Sequence, residues 1–223
     1  MRKLDGIIFD IDGTIWDSRQ VVAESWKSAI REHMDLPTDF DAESIGKLFG
    51  KPMTEIFQTM YPELSVSQIE QMTPYLYEYE HAYLRKYKPR PYDGMEQVLT
   101  ALQEDHSLYI VTNGQKGYTE AMLDATGLHS YFDGWLSYGD TLAPKNITIT
   151  NLIAQYDLHN VCYVGDTQGD QEAASKAGIP FIYCAYGLGE VDDPELAIDS
   201  IRALPEAVQI LEHMMKDNNM NER

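Results

Sequence analysis

The 223-residue sequence predicts an α/β protein, a parallel β-sheet core interrupted just after its first strand by a small α-helical insert. Three observations carry that expectation. Short apolar runs stand at 7–9, 107–112, 161–164 and 179–184, with 131–138 offering a fifth. From the second run onward they alternate with helix-period segments, the pattern of a parallel sheet with right-handed crossovers. Between the first run and the second lie roughly ninety residues without a convincing strand, far more than a crossover needs.

Ile7-Ile8-Phe9 is a continuous β-branched and aromatic run, as in a strand buried on both faces, and Asp10-Ile11-Asp12-Gly13-Thr14 is its exit into a turn. Asp10 and Asp12 therefore stand at the carboxyl end of a strand, where open parallel sheets bind their ligands. The bland alternative is an Asp-Gly pair that only makes a turn. The insert then reads as helix throughout. Ser18 is placed to N-cap a helix with Val21, Val22, Trp26, Ala29, Ile30 and Met34 on one face, ending before Pro37. Helical segments follow at 41–49, 53–60 and 67–87. Thr73-Pro74 divides the last into two helices, with Thr73 as N-cap and Pro74 at the first helical position. The tyrosines of this stretch, Tyr75, Tyr77, Tyr79, Tyr83 and Tyr87, read as packing for a small domain over 17–88. Lys88-Pro89-Arg90-Pro91-Tyr92-Asp93-Gly94 suits a hinge, the core comprising 1–16 and 89–215, and residues 216–223 are expected to fray as a flexible tail.

Past the hinge, helical patterns at 96–103, 117–126 and 147–156 carry Val98, Leu99 and Leu102, then Met122 and Leu123, then Leu152 and Ile153. The strands between them end in polar groups. Thr112-Asn113-Gly114 offers a hydroxyl, an amide and a glycine that lets a ligand approach the backbone, which suits phosphate oxygens. Gly165-Asp166-Thr167-Gln168-Gly169-Asp170 supplies two more carboxylates, hard oxygen donors of the kind Mg²⁺ favours. Lys145, in a loop just before a helix, is either one more solvated lysine or the ammonium that faces these acids. Carboxylates gathered at one sheet edge repel one another, and Mg²⁺ with Lys145 is the economical way to hold them together.

Composition narrows the partners. Seventeen basic against 36 acidic residues leave a net charge of −19, which disfavours nucleic acid and anionic membranes. The same charge disfavours phosphorylated small molecules unless lysine, backbone N–H groups and a divalent metal are concentrated locally. The three polar strand ends, with Lys145, are where such a concentration is expected. Cys162 and Cys184 lie in apolar runs and read as reduced, packed thiols, and no segment resembles a signal peptide or reaches membrane-spanning length, so a cytoplasmic protein is expected.

With these motifs in order (Asp10-Ile11-Asp12-Gly13-Thr14, Thr112-Asn113-Gly114, Lys145, Gly165-Asp166 with Asp170), the chain resembles the haloacid dehalogenase-like hydrolase superfamily, in particular its phosphoglycolate-phosphatase-like and β-phosphoglucomutase-like members. The resemblance runs from Leu4 to about Leu211, and departs at Lys145-Asn146, where relatives commonly have Lys-Pro. It implies a Rossmann-like core with a helical cap and a Mg²⁺-dependent phosphatase acting on a small phosphorylated metabolite such as phosphoglycolate, a sugar phosphate or a nucleotide monophosphate. It further implies Asp10 as nucleophile, Asp12 as general acid and base, and Asp10, Asp12, Asp166 and Asp170 around the metal. Lys145 and Thr112, with Asn113 and Gly114, would bind the phosphoryl oxygens. The segment Ile45-Gly46-Lys47-Leu48-Phe49-Gly50-Lys51 resembles the family's cap specificity segment, making Lys47 and Lys51 candidates for a substrate anion. A monomer or homodimer is expected. The rival readings are a phosphomutase, which returns the phosphoryl group to a sugar, and a non-catalytic binding protein on the same fold.

Overall fold

Ile7 and Phe9 belong to one apolar cluster and Ile8 to another, so the first strand is buried on both faces, as its unbroken apolar run requires. In the computed structural model, which describes the backbone of residues 3–221 and the side chains of 3–216, this strand is β1 (Gly6–Phe9). Five others join it in one parallel sheet: β2 (Ser107–Thr112), β3 (Gly134–Ser137), β4 (Val161–Gly165), β5 (Phe181–Cys184) and β6 (Ala197–Ile198), in the order β3-β2-β1-β4-β5-β6. The alternation continues across the sheet. Leu108, Ile110, Cys162 and Val164 share the face of Ile7 and Phe9, whereas Tyr109, Val111 and Tyr163 share that of Ile8. Both cysteines are buried and unbridged.

β1 lies between β2 and β4, where the order of the chain reverses, and such a switch point opens a crevice at the strands' carboxyl ends. Register aligns those ends, because Phe9 pairs with both Ile110 and Val164. The residues that follow, from Asp10, Thr112 and Gly165 onward, therefore emerge on one edge.

The insert contributes α1 (Arg19–His33), α2 (Ala42–Gly46), α3 (Met53–Met60) and α4 (Val66–Tyr87). Trp26 of α1 meets Phe57 of α3 edge-on at 5.4 Å between ring centroids, and Ile69, Leu76 and Leu84 of α4 are fully buried. The core adds α5 (Met95–Gln103), α6 (Tyr118–Thr126), α7 (Tyr138–Thr141), α8 (Lys145–Gln155), α9 (Gln168–Ala177) and α10 (Leu204–Asn221). No helix among the described residues is long and apolar enough to cross a membrane.

Four local expectations are corrected. Thr73-Pro74 does not start a new helix; α4 runs through it, launched by a reciprocal Ser65–Gln68 capping box. Proline in a helix interior costs about 3 kcal/mol, and the continuous buried stripe of Ile69, Leu76 and Leu84 spans the site and offsets it. Ser18 stands at the N-cap of α1 but its hydroxyl makes no cap bond, because Asp12 takes it. Lys145 is the first residue of α8, not a loop residue, and is buried. The supposed tail is helical as far as Asn221, and residues 222–223 lie outside the described residues.

Candidate active site

Three carboxylates and one ammonium converge below the crevice. Asp10 leaves the tip of β1, Asp166 follows β4, Asp170 lies in the first turn of α9 and Lys145 opens α8; all four are buried. Lys145 Nζ donates to Asp10 Oδ1 at 2.9 Å and to Asp170 Oδ1 at 2.6 Å. Burial alone would lower the lysine's pKa, but Asp10 and Asp170 outweigh it and hold the ammonium charged well above its ordinary range. Asp10 is lifted by burial and by the nearby Asp170 and Asp166 carboxylates, against the pull of Lys145.

Asp170 is fixed from its other side. Its Oδ2 accepts from Thr167 Oγ1 at 2.7 Å and from Thr167 N at 3.0 Å, in the capping box that starts α9. Asp166 Oδ2 accepts from the backbone N–H groups of Leu188 and Gly189 at 2.7 and 3.2 Å, while Oδ1 is buried without a hydrogen-bond partner. Burial, with the Asp170 charge, pushes the Asp166 carboxyl up to about 7.

These residues fit a divalent cation. One oxygen from each of Asp10, Asp166 and Asp170 lies within 4.8 Å of the others. The orphaned Asp166 Oδ1 lacks the partner that a buried acceptor needs, and three carboxylates against one ammonium leave negative charge uncompensated. All-oxygen donors suit Mg²⁺. The Asp12 side chain lies outside that cluster. Space around the cluster is tight: Gly13 has φ +82°, and a Cβ there would lie 1.9 Å from Asp166 Oδ2.

Asp12 is held elsewhere. Its Oδ1 accepts from Ser18 Oγ at 2.5 Å, Tyr118 OH at 2.6 Å and Trp16 Nε1 at 3.0 Å, leaving Oδ2 without a hydrogen bond. Burial raises its pKa in spite of those three donors, so a proton on Oδ2 is favoured relative to an ordinary aspartate.

Strand β2 supplies the opposite wall. Thr112 is buried, and its Oγ1 accepts from Gly114 N at 3.1 Å, so that amide is already used while the threonine O–H remains free to donate. Asn113 Nδ2 donates to the Gly50 carbonyl of the insert at 2.6 Å, which ties core to insert instead of pointing only at a ligand.

Together these groups and the insert line a cavity of about 50 Å³. Asp10, Asp12, Thr112, Asn113, Gly114 and Gln115 come from the core; Trp26, Phe49, Met53, Ile56 and Glu80 close it from the insert. Lys51 also lines it, from an exposed position. Lys47 does not; it borders a neighbouring opening beside Asp12 and Asp166, and its exposed ammonium is 3.4 Å from Glu43.

Sequence reasoning missed Ser18 and Tyr118 as partners of Asp12, and missed Glu80 and Gln115 altogether. Glu80 did leave a signal: Leu76-Glu80-Leu84 repeats every four residues, so the carboxyl sits on a buried helix stripe. Tyr118 left none, since its phenol reaches Asp12 across 106 residues of sequence.

The family model described as haloacid dehalogenase-like hydrolase matches residues 7–184. A protein of Dickeya dadantii named probable phosphatase IndB is 26% identical over 219 residues, covering 92% of this chain and 94% of that one. A phosphoglycolate phosphatase of Agrobacterium fabrum is 28% identical over 216 residues, covering 90% and 91%. Among solved structures, a haloacid dehalogenase-like family hydrolase from Streptococcus pneumoniae superposes with a TM-score of 0.78 at 23% identity, covering 92% of this chain and 99% of that one, a likeness of fold. With the family model spanning most of its length, and with the parallel sheet and its acidic edge in place, the chain belongs to the haloacid dehalogenase-like hydrolases.

Proposed function

We propose that the protein is a Mg²⁺-dependent phosphomonoesterase for a small phosphorylated metabolite, working through an aspartyl-phosphate on Asp10. The observation that carries this reading is the buried arrangement of Lys145 between Asp10 and Asp170, with the orphaned Asp166 oxygen alongside. The phosphatase names of the relatives support it.

Lys145 occupies Asp10 Oδ1 and orients the carboxylate, so that Oδ2 attacks phosphorus and splits one difficult displacement into two easier ones. Asp10, Asp166 and Asp170 would hold the Mg²⁺, which when bound neutralises phosphoryl charge. The Thr112 hydroxyl and Lys145 donate to the phosphoryl oxygens. Asp12, pinned through Oδ1, delivers a proton from Oδ2 to the departing alkoxide and later takes one from the water that attacks the acyl-phosphate. Helices α1–α4 act as the cap that keeps water out during the first step, with residues 88–94 as its hinge.

Release of inorganic phosphate from a panel of phosphorylated metabolites, with Mg²⁺ and with EDTA, tests this reading, with Asp10→Asn as control. Release that needs the metal and disappears in the variant is the expected result. Wild-type activity in Asp10→Asn would remove Asp10 as nucleophile, and formation of an isomeric sugar phosphate without free phosphate would establish the mutase instead.

A further inference from the structure

One carboxylate in the cavity has no part in the chemistry above. Glu80, on α4, is only 3% exposed. Its Oε2 accepts from Trp26 Nε1 at 2.6 Å and its Oε1 accepts from Gln115 Nε2 at 2.7 Å. A carboxylate has about four acceptor directions, so each oxygen keeps capacity for another donor. Apart from Gly50 and the exposed Lys51, the rest of the insert's lining is apolar, through Val22, Trp26, Phe49, Met53 and Ile56, and the Trp26 indole is already used by Glu80.

Cations are equally scarce. Lys51 is the only basic residue among those lining the cavity and stands at an exposed position, while Lys145 is committed to Asp10, Asp170 and the phosphoryl group. An ester with its phosphoryl group at Asp10 therefore presents its alcohol part to apolar walls and to Glu80. A hydroxyl or ammonium finds an acceptor there; a carboxylate meets a like charge where little water screens it.

We propose that Glu80 is a specificity-determining residue, selecting short phosphate esters whose alcohol part donates hydrogen bonds through a hydroxyl or ammonium and rejecting those that end in a carboxylate. The inference rests on the phosphomonoesterase reading and adds the substrate class. It separates this chain from the activity in the name of its Agrobacterium fabrum relative, phosphoglycolate being a phosphate ester whose alcohol part ends in a carboxylate. Burial pushes the Glu80 carboxyl up to about 7, so selectivity is best read at pH 8, with the carboxylate ionised.

The test uses the full chain with Mg²⁺ and three esters that differ only at the end of a two-carbon alcohol: O-phosphoethanolamine, 2-hydroxyethyl phosphate and 2-phosphoglycolate. p-Nitrophenyl phosphate reports the hydrolytic reaction itself. We expect kcat/KM for the ammonium and hydroxyl esters to exceed that for 2-phosphoglycolate at least about tenfold, a difference of about 1.4 kcal/mol. In Glu80→Gln that ratio should fall several-fold, mainly through KM. Equal or better turnover of 2-phosphoglycolate by the wild type overturns the inference and needs no variant. A ratio unchanged in Glu80→Gln, with all three esters weakened alike, also overturns it and leaves Glu80 a packing residue. Turnover of p-nitrophenyl phosphate with none of the three esters accepted defeats the inference while sparing the phosphatase reading, whereas no metal-dependent turnover of p-nitrophenyl phosphate defeats both.

Discussion

The pair Asp10 and Asp170 on the core side of the cavity and Glu80 on its insert side are buried carboxylates held in different ways. On the core side Asp10 and Asp170 share an ammonium, and Asp166 leans on two backbone N–H groups. On the insert side Glu80 has only the neutral donors Trp26 and Gln115. A carboxylate paired with a buried cation is fixed by that cation, whereas Glu80, held by two neutral donors, keeps acceptor capacity for a further donor. On the proposed reading, the core side would define the reaction, and the insert side what the reaction is applied to.

If that division holds, the most damaging changes lie on the core side. Lys145→Met leaves Asp10 and Asp170 buried without their cation; we expect turnover to fall by at least about 10³-fold and stability by roughly 3–5 kcal/mol, read by phosphate release and urea unfolding. A variant that unfolds normally would show that the ion pairs contribute far less than their burial implies. Asp12→Asn comes next. Loss of a general acid costs roughly 10²–10⁴-fold, and the loss should be severe for alkyl phosphates and slight for p-nitrophenyl phosphate, whose leaving group departs without a proton. Equal losses for both esters would take the acid role from Asp12.

The core side was also the legible side. Strand β1 announces itself through Ile7-Ile8-Phe9, and the polar residues after β1, β2 and β4 fall on one edge because parallel strands share a direction. Local spacing was enough to pick out Asp10, Thr112, Asp166 and Asp170. It was not enough for Asp12's surroundings, whose three donors come from the turn, from the start of α1 and from α6. Ser18 shows why: the sequence marks it as a cap, and a carboxylate brought in by the fold outcompetes the backbone for its hydroxyl. Pro74 failed in the same manner, local preference yielding to a buried stripe. Lys47 and Lys51 look alike in sequence, and only the turn after α2 decides that Lys51 borders both the cavity and the side opening, and Lys47 the side opening alone.

A pH titration sharpens the contrast between the two kinds of carboxylate. Glu80 has an ordinary pKa of 4.5 and is held at about 7 in the fold, chiefly by burial. The folded state thus binds a proton that the unfolded state has lost, and the resulting stability is fully present below pH 4.5 and lost as pH rises towards 7. Glu80→Gln cannot titrate, so its stability relative to the wild type should rise between pH 4.5 and 8 by roughly 3 kcal/mol. Urea midpoints of the two proteins across that range provide the check. A constant difference would mean that Glu80 is solvated like a surface acid.

The smallest effect concerns the seam between the two sides. Asn113 Nδ2 donates to the Gly50 carbonyl at 2.6 Å, joining the tip of β2 to the loop that carries Lys51. Asn113→Ala removes that bond, worth about 0.5–1.5 kcal/mol net, and leaves the Asp10–Lys145–Asp170 constellation intact. If the insert closes over substrate, the closed form loses that much and kcat/KM should fall about two- to tenfold. The loss should be similar for every ester, because the seam touches neither Glu80 nor the leaving group, and that uniformity distinguishes it from the selective loss at Glu80. An ester-dependent loss in Asn113→Ala would show that Asn113 contacts the substrate directly, placing the boundary between reaction and selection inside the core rather than at its edge.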